Sequence, residues 1–154
     1  MSKVLEAVER FKTGDNCAQS ILGTYGPDYN LSQDECLRIS SGFGGGMRRG
    51  EVCGAVSGAV MVLGLNFDPG DISPTSREAV NADTLNFTNR FESECGSLRC
   101  MDLLGCDIST PEGRLAAKVK NTSETVCPHL VQTAAVLLEE LNRRDHDLGN
   151  SSAD

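Results

Sequence analysis

The stretch Ser41–Leu65, SGFGGGMRRGEVCGAVSGAVMVLGL, decides how the rest of the chain is read. Its first half gathers Gly42, Gly44, Gly45, Gly46 and Gly50; its second half, Val52–Leu65, is fourteen residues without a charge. Glycine tolerates the positive φ that side chains resist, so the first half can turn tightly or let another group approach its backbone. The second half is shorter than the roughly 20 apolar residues that span a bilayer. It therefore predicts a helix buried on all sides within the protein. Gly54 and Gly58, with Ala55 and Ala59, recur at a spacing of four and lay small side chains in a stripe where another helix can come close. Cys53 stands where the glycine-rich loop enters this helix.

Working outward, helical signals dominate on both sides. Towards the N-terminus, Ser2–Lys12 places Val4, Leu5, Val8 and Phe11 on one side of a short helix. After the break at Thr13–Asn16, Asp15 or Asn16 can cap a second helix over Cys17–Tyr25 by accepting its free N–H groups. Gly26-Pro27-Asp28 ends that helix, and Ser32 with Glu35 three residues on forms a capping box for a third, Gln33–Ser41. Towards the C-terminus, Pro74 at a first helical position opens another helix. Val80, Thr84, Phe87 and Phe91 follow the helical period along it. Cys95-Gly96 breaks it, Cys100–Leu104 is a short helical turn, and Thr110-Pro111-Glu112 opens a further short helix. The last long helix is expected from about Thr125 to Arg144, with Leu130, Ala134, Leu137, Leu138 and Leu141 inward and Pro128 confined to the first turn. No segment alternates as a strand would. The expected fold is an all-α, single-domain bundle of five or six helices around the Val52–Leu65 helix, with the domain over residues 1–148 and a disordered tail over 149–154.

Charge and composition narrow the class of function. At 154 residues the chain is long enough for one real core. A net charge of −8 argues against a nucleic-acid surface. No apolar leader is read in Met1–Asp15, so a cytoplasmic location is expected and no membrane insertion. In that compartment seven cysteines point to redox or metal chemistry rather than to structural bridges.

Cys17, Cys53 and Cys127 each fall in or beside the expected first turn of a helix, and Cys100 opens a short helical turn. Free N–H groups and the dipole at a helix start favour the thiolate, which is both the nucleophile and the metal ligand. Cys53 is expected to be the most acidic and reactive of them, with Arg48 and Arg49 adding positive charge nearby. Cys36 sits mid-helix and reads as a packing residue. The spacings match no zinc ribbon or haem attachment site; Cys95, Cys100 and Cys106 are only a weak echo of cluster-ligand spacing. His129 and His146 lack helix-spaced ligand partners and read as surface or capping residues. The glycine run lacks the lysine and hydroxyl of a phosphate loop, but Gly44, Gly45 and Gly46 leave room for a partner sulfur or a metal, and are the candidate cofactor-contacting positions.

The ordered motifs resemble the C_GCAxxG_C_C family of redox-active proteins. They are Asn16-Cys17-Ala18-Gln19, Ser41–Met47, Cys53-Gly54-Ala55 with Gly58, Met61–Leu65, Gly96 with Cys100, Leu103-Leu104-Gly105, and Cys127-Pro128. The likeness spans about Cys17–Leu141 and implies a four-cysteine centre at Cys17, Cys53, Cys100 and Cys127. Cys36, Cys95 and Cys106 are additions to that set, and Arg48-Arg49 stands where related loops continue with small residues. Three functions follow as expectations. The first is thiol–disulfide exchange or electron transfer centred on Cys53, resolved by Cys17, Cys100 or Cys127. The second is binding of zinc or an iron–sulfur cluster by the same four cysteines; the third is a non-catalytic interaction module. The partner expected is an unidentified redox partner, and homodimerisation is left open.

Overall fold

The computed structural model describes the backbone of residues 1–150 and the side chains of residues 1–142. Nine α-helical segments are present among them and no strand. The helix starts are written in the sequence. Ser2 accepts the Leu5 N–H at the head of α1 (Lys3–Lys12). Asn16 and Gln19 form a reciprocal capping box on α2 (Cys17–Tyr25), and Ser32 and Glu35 form another on α3 (Gln33–Ser40). Such a box satisfies N–H groups that a helix cannot pair internally. α4 (Gly54–Gly64) is the apolar helix. α5 (Pro74–Cys95) begins with Ser73 as its cap and stops at Gly96, whose φ of 93° is the left-handed conformation that closes a helix. α6 (Cys100–Leu104), α7 (Pro111–Val119), α8 (Thr122–Thr125) and α9 (Cys127–Asn150) complete the chain.

The bundle exceeds the five or six helices expected because single turns such as α6 and α8 are helices of their own. Asn121 in the left-handed conformation separates α7 from α8. α9 begins at Cys127 rather than Thr125, which puts Pro128 at its second position, where no N–H is lost. α9 also runs through Gly149 and Asn150, positions assigned in sequence to the tail. Positions 151–154 lie outside the described residues.

α4 packs against α2, α5 and α9. Ala55, Val56, Ala59, Val62 and Leu63 are buried, whereas Val60 and Met61 are half-buried, so the helix is not enclosed on every side. Phe87 and Phe91 from α5 stack against each other in the core, and Leu130, Ala134, Leu137, Leu138 and Leu141 bring in α9. The small-residue stripe has the expected purpose. A Cβ on Gly58 would lie 2.9 Å from the Ala18 carbonyl oxygen, and one on Gly54 would lie 3.1 Å from the Cys17 Cβ. α2 and α4 thus touch backbone to backbone, at a separation that any side chain at Gly54 or Gly58 would hold open.

Two irregular segments frame the start of α4. Gly45, Gly46, Met47 and Arg48 all have positive φ, between 56° and 64°. A left-handed conformation costs an L-residue about 1–2 kcal/mol, so the glycines carry half of this turn and Met47 and Arg48 are held in it. Beyond it, residues 51–53 pair with 98–100. The Cys53 N–H donates to the Leu98 carbonyl at 2.8 Å, and the Cys100 N–H donates to the Glu51 carbonyl at 2.7 Å. This antiparallel bridge, centred on Val52 and Arg99, takes Val52 out of the expected helix.

Replacing Gly58 by alanine is expected to destabilise the fold by about 1–3 kcal/mol, the usual cost of overpacking. Gly64 has nothing within 4 Å of an added Cβ. Gly64→Ala in the same helix is expected to be neutral or slightly stabilising. Urea unfolding of both variants checks the pair; equal midpoints would mean that the close approach at Gly58 is not a constraint.

Candidate thiol site

Each cysteine of interest is positioned by a helix start. Cys17 is the first residue of α2, Cys100 of α6 and Cys127 of α9. Cys53 is the N-cap of α4, one position before the turn expected from sequence; its carbonyl accepts the Val56 and Ser57 N–H groups at 2.9 and 3.1 Å. The four side chains line one cavity of about 130 Å³, with Phe11, Leu104 and Leu130 as apolar walls. Cys53 is 2% exposed and Cys17 9%. Two contacts already described bring the set together: Gly54 lets Cys17 lie beside Cys53, and the backbone bridge sets Cys100 beside Cys53.

The thiols are not equivalent. The Cys17 side chain interacts with both Cys127 and Cys53, and these interactions, reinforced by burial, hold its proton and raise its pKa well above the ordinary thiol value. The same contacts act oppositely on the partners. Donation from Cys17 lowers the pKa of Cys53 despite burial, and the Ala55 and Val56 N–H groups at the head of α4 lower it further. Cys127 is lowered first by Cys17 and then by its own backbone, against burial and the nearby Cys53 charge. Cys100 has no such donor: burial, then the charges of Cys53, Cys127 and Cys106, push it up to about 12. Contact with Cys17 thus lowers two sulfurs, and a fourth, Cys100, stays protonated.

The other residues singled out in the sequence take up different places. Arg48 and Arg49 are not among the groups that lower Cys53; Arg48 points into a separate groove bounded by α7. Of the three glycines proposed to contact a cofactor, only Gly45 reaches the cavity. A Cβ on Gly44 would strike Asn16, and one on Gly46 would strike the Glu51 backbone, so these two serve packing. Among the described residues no group of three or more His, Cys, Asp or Glu side chains is arranged to hold a metal ion. Cys36 is fully buried in α3 against Gly26, away from the cavity, with burial raising its pKa. Cys95 ends α5 and interacts with Thr133, while the Cys106 Sγ donates to the Leu104 carbonyl at 3.3 Å. His129 is exposed, and the side chain of His146 lies outside those described. The role of the 51–53 and 98–100 pairing was missed from sequence, since nothing local marks a single rung between segments so far apart. The walls Phe11 and Leu130 were visible only as core positions of α1 and α9.

An all-α domain whose helix starts aim four cysteines into one small cavity is a thiol-centred protein. The model of the family described as "Putative redox-active protein (C_GCAxxG_C_C)" matches residues 15–141, and the chain belongs to that family. No curated protein and no solved structure matches the chain. Among the described residues no helix is long and apolar enough to cross a membrane.

Two pH dependences follow. In alkylation of reduced protein mapped by peptide, Cys53 and Cys127 should show midpoints below the free-thiol value of about 8.5, and Cys36 and Cys100 above it. Cys17→Ala removes the shared donor and should raise both low midpoints; unchanged midpoints would contradict the donor role. The second concerns stability. Between the ordinary thiol value and about 12, folded Cys100 keeps a proton that the unfolded chain releases. The unfolded state then binds fewer protons, so this group's share of stability falls as pH rises through that window. Cys100→Ser should make the alkaline loss of stability shallower in urea midpoints measured across the window.

Proposed function

We propose that this protein exchanges electrons through thiol–disulfide chemistry at Cys53, with Cys17 as the resolving thiol. The observation that carries the reading is the meeting of Cys17 and Cys53 at two helix starts within one cavity, where Cys17 also contacts Cys127. The Cys53 thiolate attacks one sulfur of an incoming disulfide, the S–S bond breaks, and the departing thiolate takes up a proton from solvent. Cys17 then releases its proton, and its thiolate attacks the Cys53 sulfur of the mixed disulfide. The second substrate sulfur leaves and takes that proton. The balance is two electrons to the substrate and one Cys17–Cys53 disulfide in the protein. In the reverse direction the same pair oxidises a dithiol.

Cys127 offers Cys17 a second partner, so a Cys17–Cys127 disulfide is the isomer expected beside Cys17–Cys53. Cys100 is the weaker resolving candidate because, unlike Cys17, its side chain makes no hydrogen-bonding contact with Cys53 or Cys127. Helix starts favour this chemistry by solvating the thiolate with N–H groups inside an otherwise apolar cavity. Zinc or an iron–sulfur cluster would require sulfurs converging on one centre. The four sulfurs line one cavity, but among the described residues no three His, Cys, Asp or Glu side chains are arranged to hold a metal ion.

Titration of the purified protein in thiol–disulfide buffers, with mass and peptide mapping, tests the proposal. The expected result is reversible formation of one intramolecular disulfide that contains Cys17. Cys17→Ala should abolish it, and Cys36→Ala should leave it intact. Disulfides that omit Cys17, or a visible absorption band with stoichiometric metal in anaerobically purified protein, would overturn the assignment.

A further inference from the structure

We propose that the groove bounded by Arg48, Arg114 and Lys118 binds the carboxylate groups of a small anionic disulfide or thiol, and presents its sulfur to the adjoining thiol cavity. The inference rests on the thiol–disulfide reading above and adds the substrate class. Its basis is a charge arrangement. The chain has 14 Lys and Arg against 22 Asp and Glu, so unpaired cations are not expected to gather. Lys3, Arg10, Lys12, Arg38, Arg90 and Arg99 each pair with a carboxylate. Arg48, Arg114 and Lys118 make no ion pair among the described residues, yet all three line one groove of about 300 Å³ with no acidic residue in its wall. Lys120, also outside any ion pair among the described residues, donates from Nζ to the carbonyl of Gly105, the neighbour of Leu104, at 3.3 Å. The other described cations outside ion pairs are Arg49, next to Arg48 in the chain, and Arg77 on α5, and neither lines the groove.

The groove adjoins the thiol cavity directly. Leu104 lines both. Gly45 lines the cavity and Ile108 the groove, and a Cβ on Gly45 would lie 2.8 Å from the Ile108 Cδ1. The left-handed turn supplies the third cation, since it carries the Arg48 side chain past Gly45 towards Ile108. The spacing selects the ligand. Arg114 and Lys118 stand four residues apart, one turn along α7, where side chains are neighbours about 5–6 Å apart. The Arg114 Nη1 donates to the Ile108 carbonyl at 3.1 Å, which holds the guanidinium in place with donors to spare. Separate single cations facing each other across a groove suit a molecule carrying two spaced carboxylates. A compact phosphate would call for donors converging on one point.

Two measurements on the full chain separate this inference from the chemistry it rests on. The first is calorimetric titration with S-methylglutathione, a carboxylate-bearing thioether that cannot exchange. Saturable binding is expected, weakened about tenfold or more by the double substitution Arg114→Ala and Lys118→Ala and by added salt, because exposed charges are screened over about 10 Å. Arg77→Ala, which removes a cation from outside the groove, serves as the control and should bind as the parent does. Absent binding, or binding indifferent to the double substitution, overturns the groove. The second compares thiol oxidation by a dianionic aromatic disulfide, dithiobis(nitrobenzoate), with that by uncharged dithiodipyridine. The double substitution should lower the ratio of the two rates about tenfold, the scale of local electrostatic focusing. An unchanged ratio overturns the inference while leaving the thiol chemistry standing. Thioether binding without reaction towards either disulfide supports the groove and removes the thiol–disulfide reading instead.

Discussion

The contact on which the structure depends is the approach of α2 to α4 across Gly54 and Gly58. An added methyl at either position would meet the backbone of α2 at about 3 Å. This closeness has two effects. It makes the helix pair the centre of the core, with α5 and α9 packed around it. It also puts the first residue of α2 beside the residue that caps α4, so two cysteines meet at the place where two helices present unpaired N–H groups. Packing and chemistry therefore share one constraint, and neither glycine can acquire a side chain without moving Cys17 away from Cys53.

Electrostatics follows from that meeting. A buried sulfur ordinarily keeps its proton, because an apolar setting disfavours charge. Cys100 obeys this rule, while Cys17 is held protonated first by its contacts with Cys127 and Cys53 and then by burial. Cys53 and Cys127 escape it because a neighbouring thiol donates to each, and because α4 offers the Ala55 and Val56 N–H groups to Cys53. The asymmetry within one cavity comes from contact with Cys17 for the two lowered sulfurs and from burial for Cys100.

Much of this was legible in the residues. Capping boxes at Asn16 and Ser32, prolines at 74 and 111, and the Phe87–Phe91 spacing encode helices through local chemistry, and local chemistry survives folding. Placing Cys17, Cys100 and Cys127 at helix starts needed nothing more. What remained hidden depends on distance or on backbone states that side chains do not announce. The rung between Val52 and Arg99 joins segments separated by α4 and α5, and it shifted the start of α4 from Val52 to Gly54. Met47 and Arg48 carry no signal for a left-handed turn, so their neighbour Cys53 drew Arg48 to the wrong side of the loop. The division of Gly44, Gly45 and Gly46 between packing and cavity could not be read from three identical residues.

The size of the thiol cavity sets a limit on what can react there. Pockets that enclose a whole small-molecule ligand commonly run to roughly 300–1,000 Å³. At about 130 Å³ the space among the four sulfurs admits the tip of a molecule and excludes its body. A disulfide that projects on an extended loop fits this space better than one set in a flat protein surface. Selectivity of this kind is geometric: it is enforced by Phe11, Leu104 and Leu130 before any sulfur is touched, and it would shield a reactive thiolate from indiscriminate oxidation.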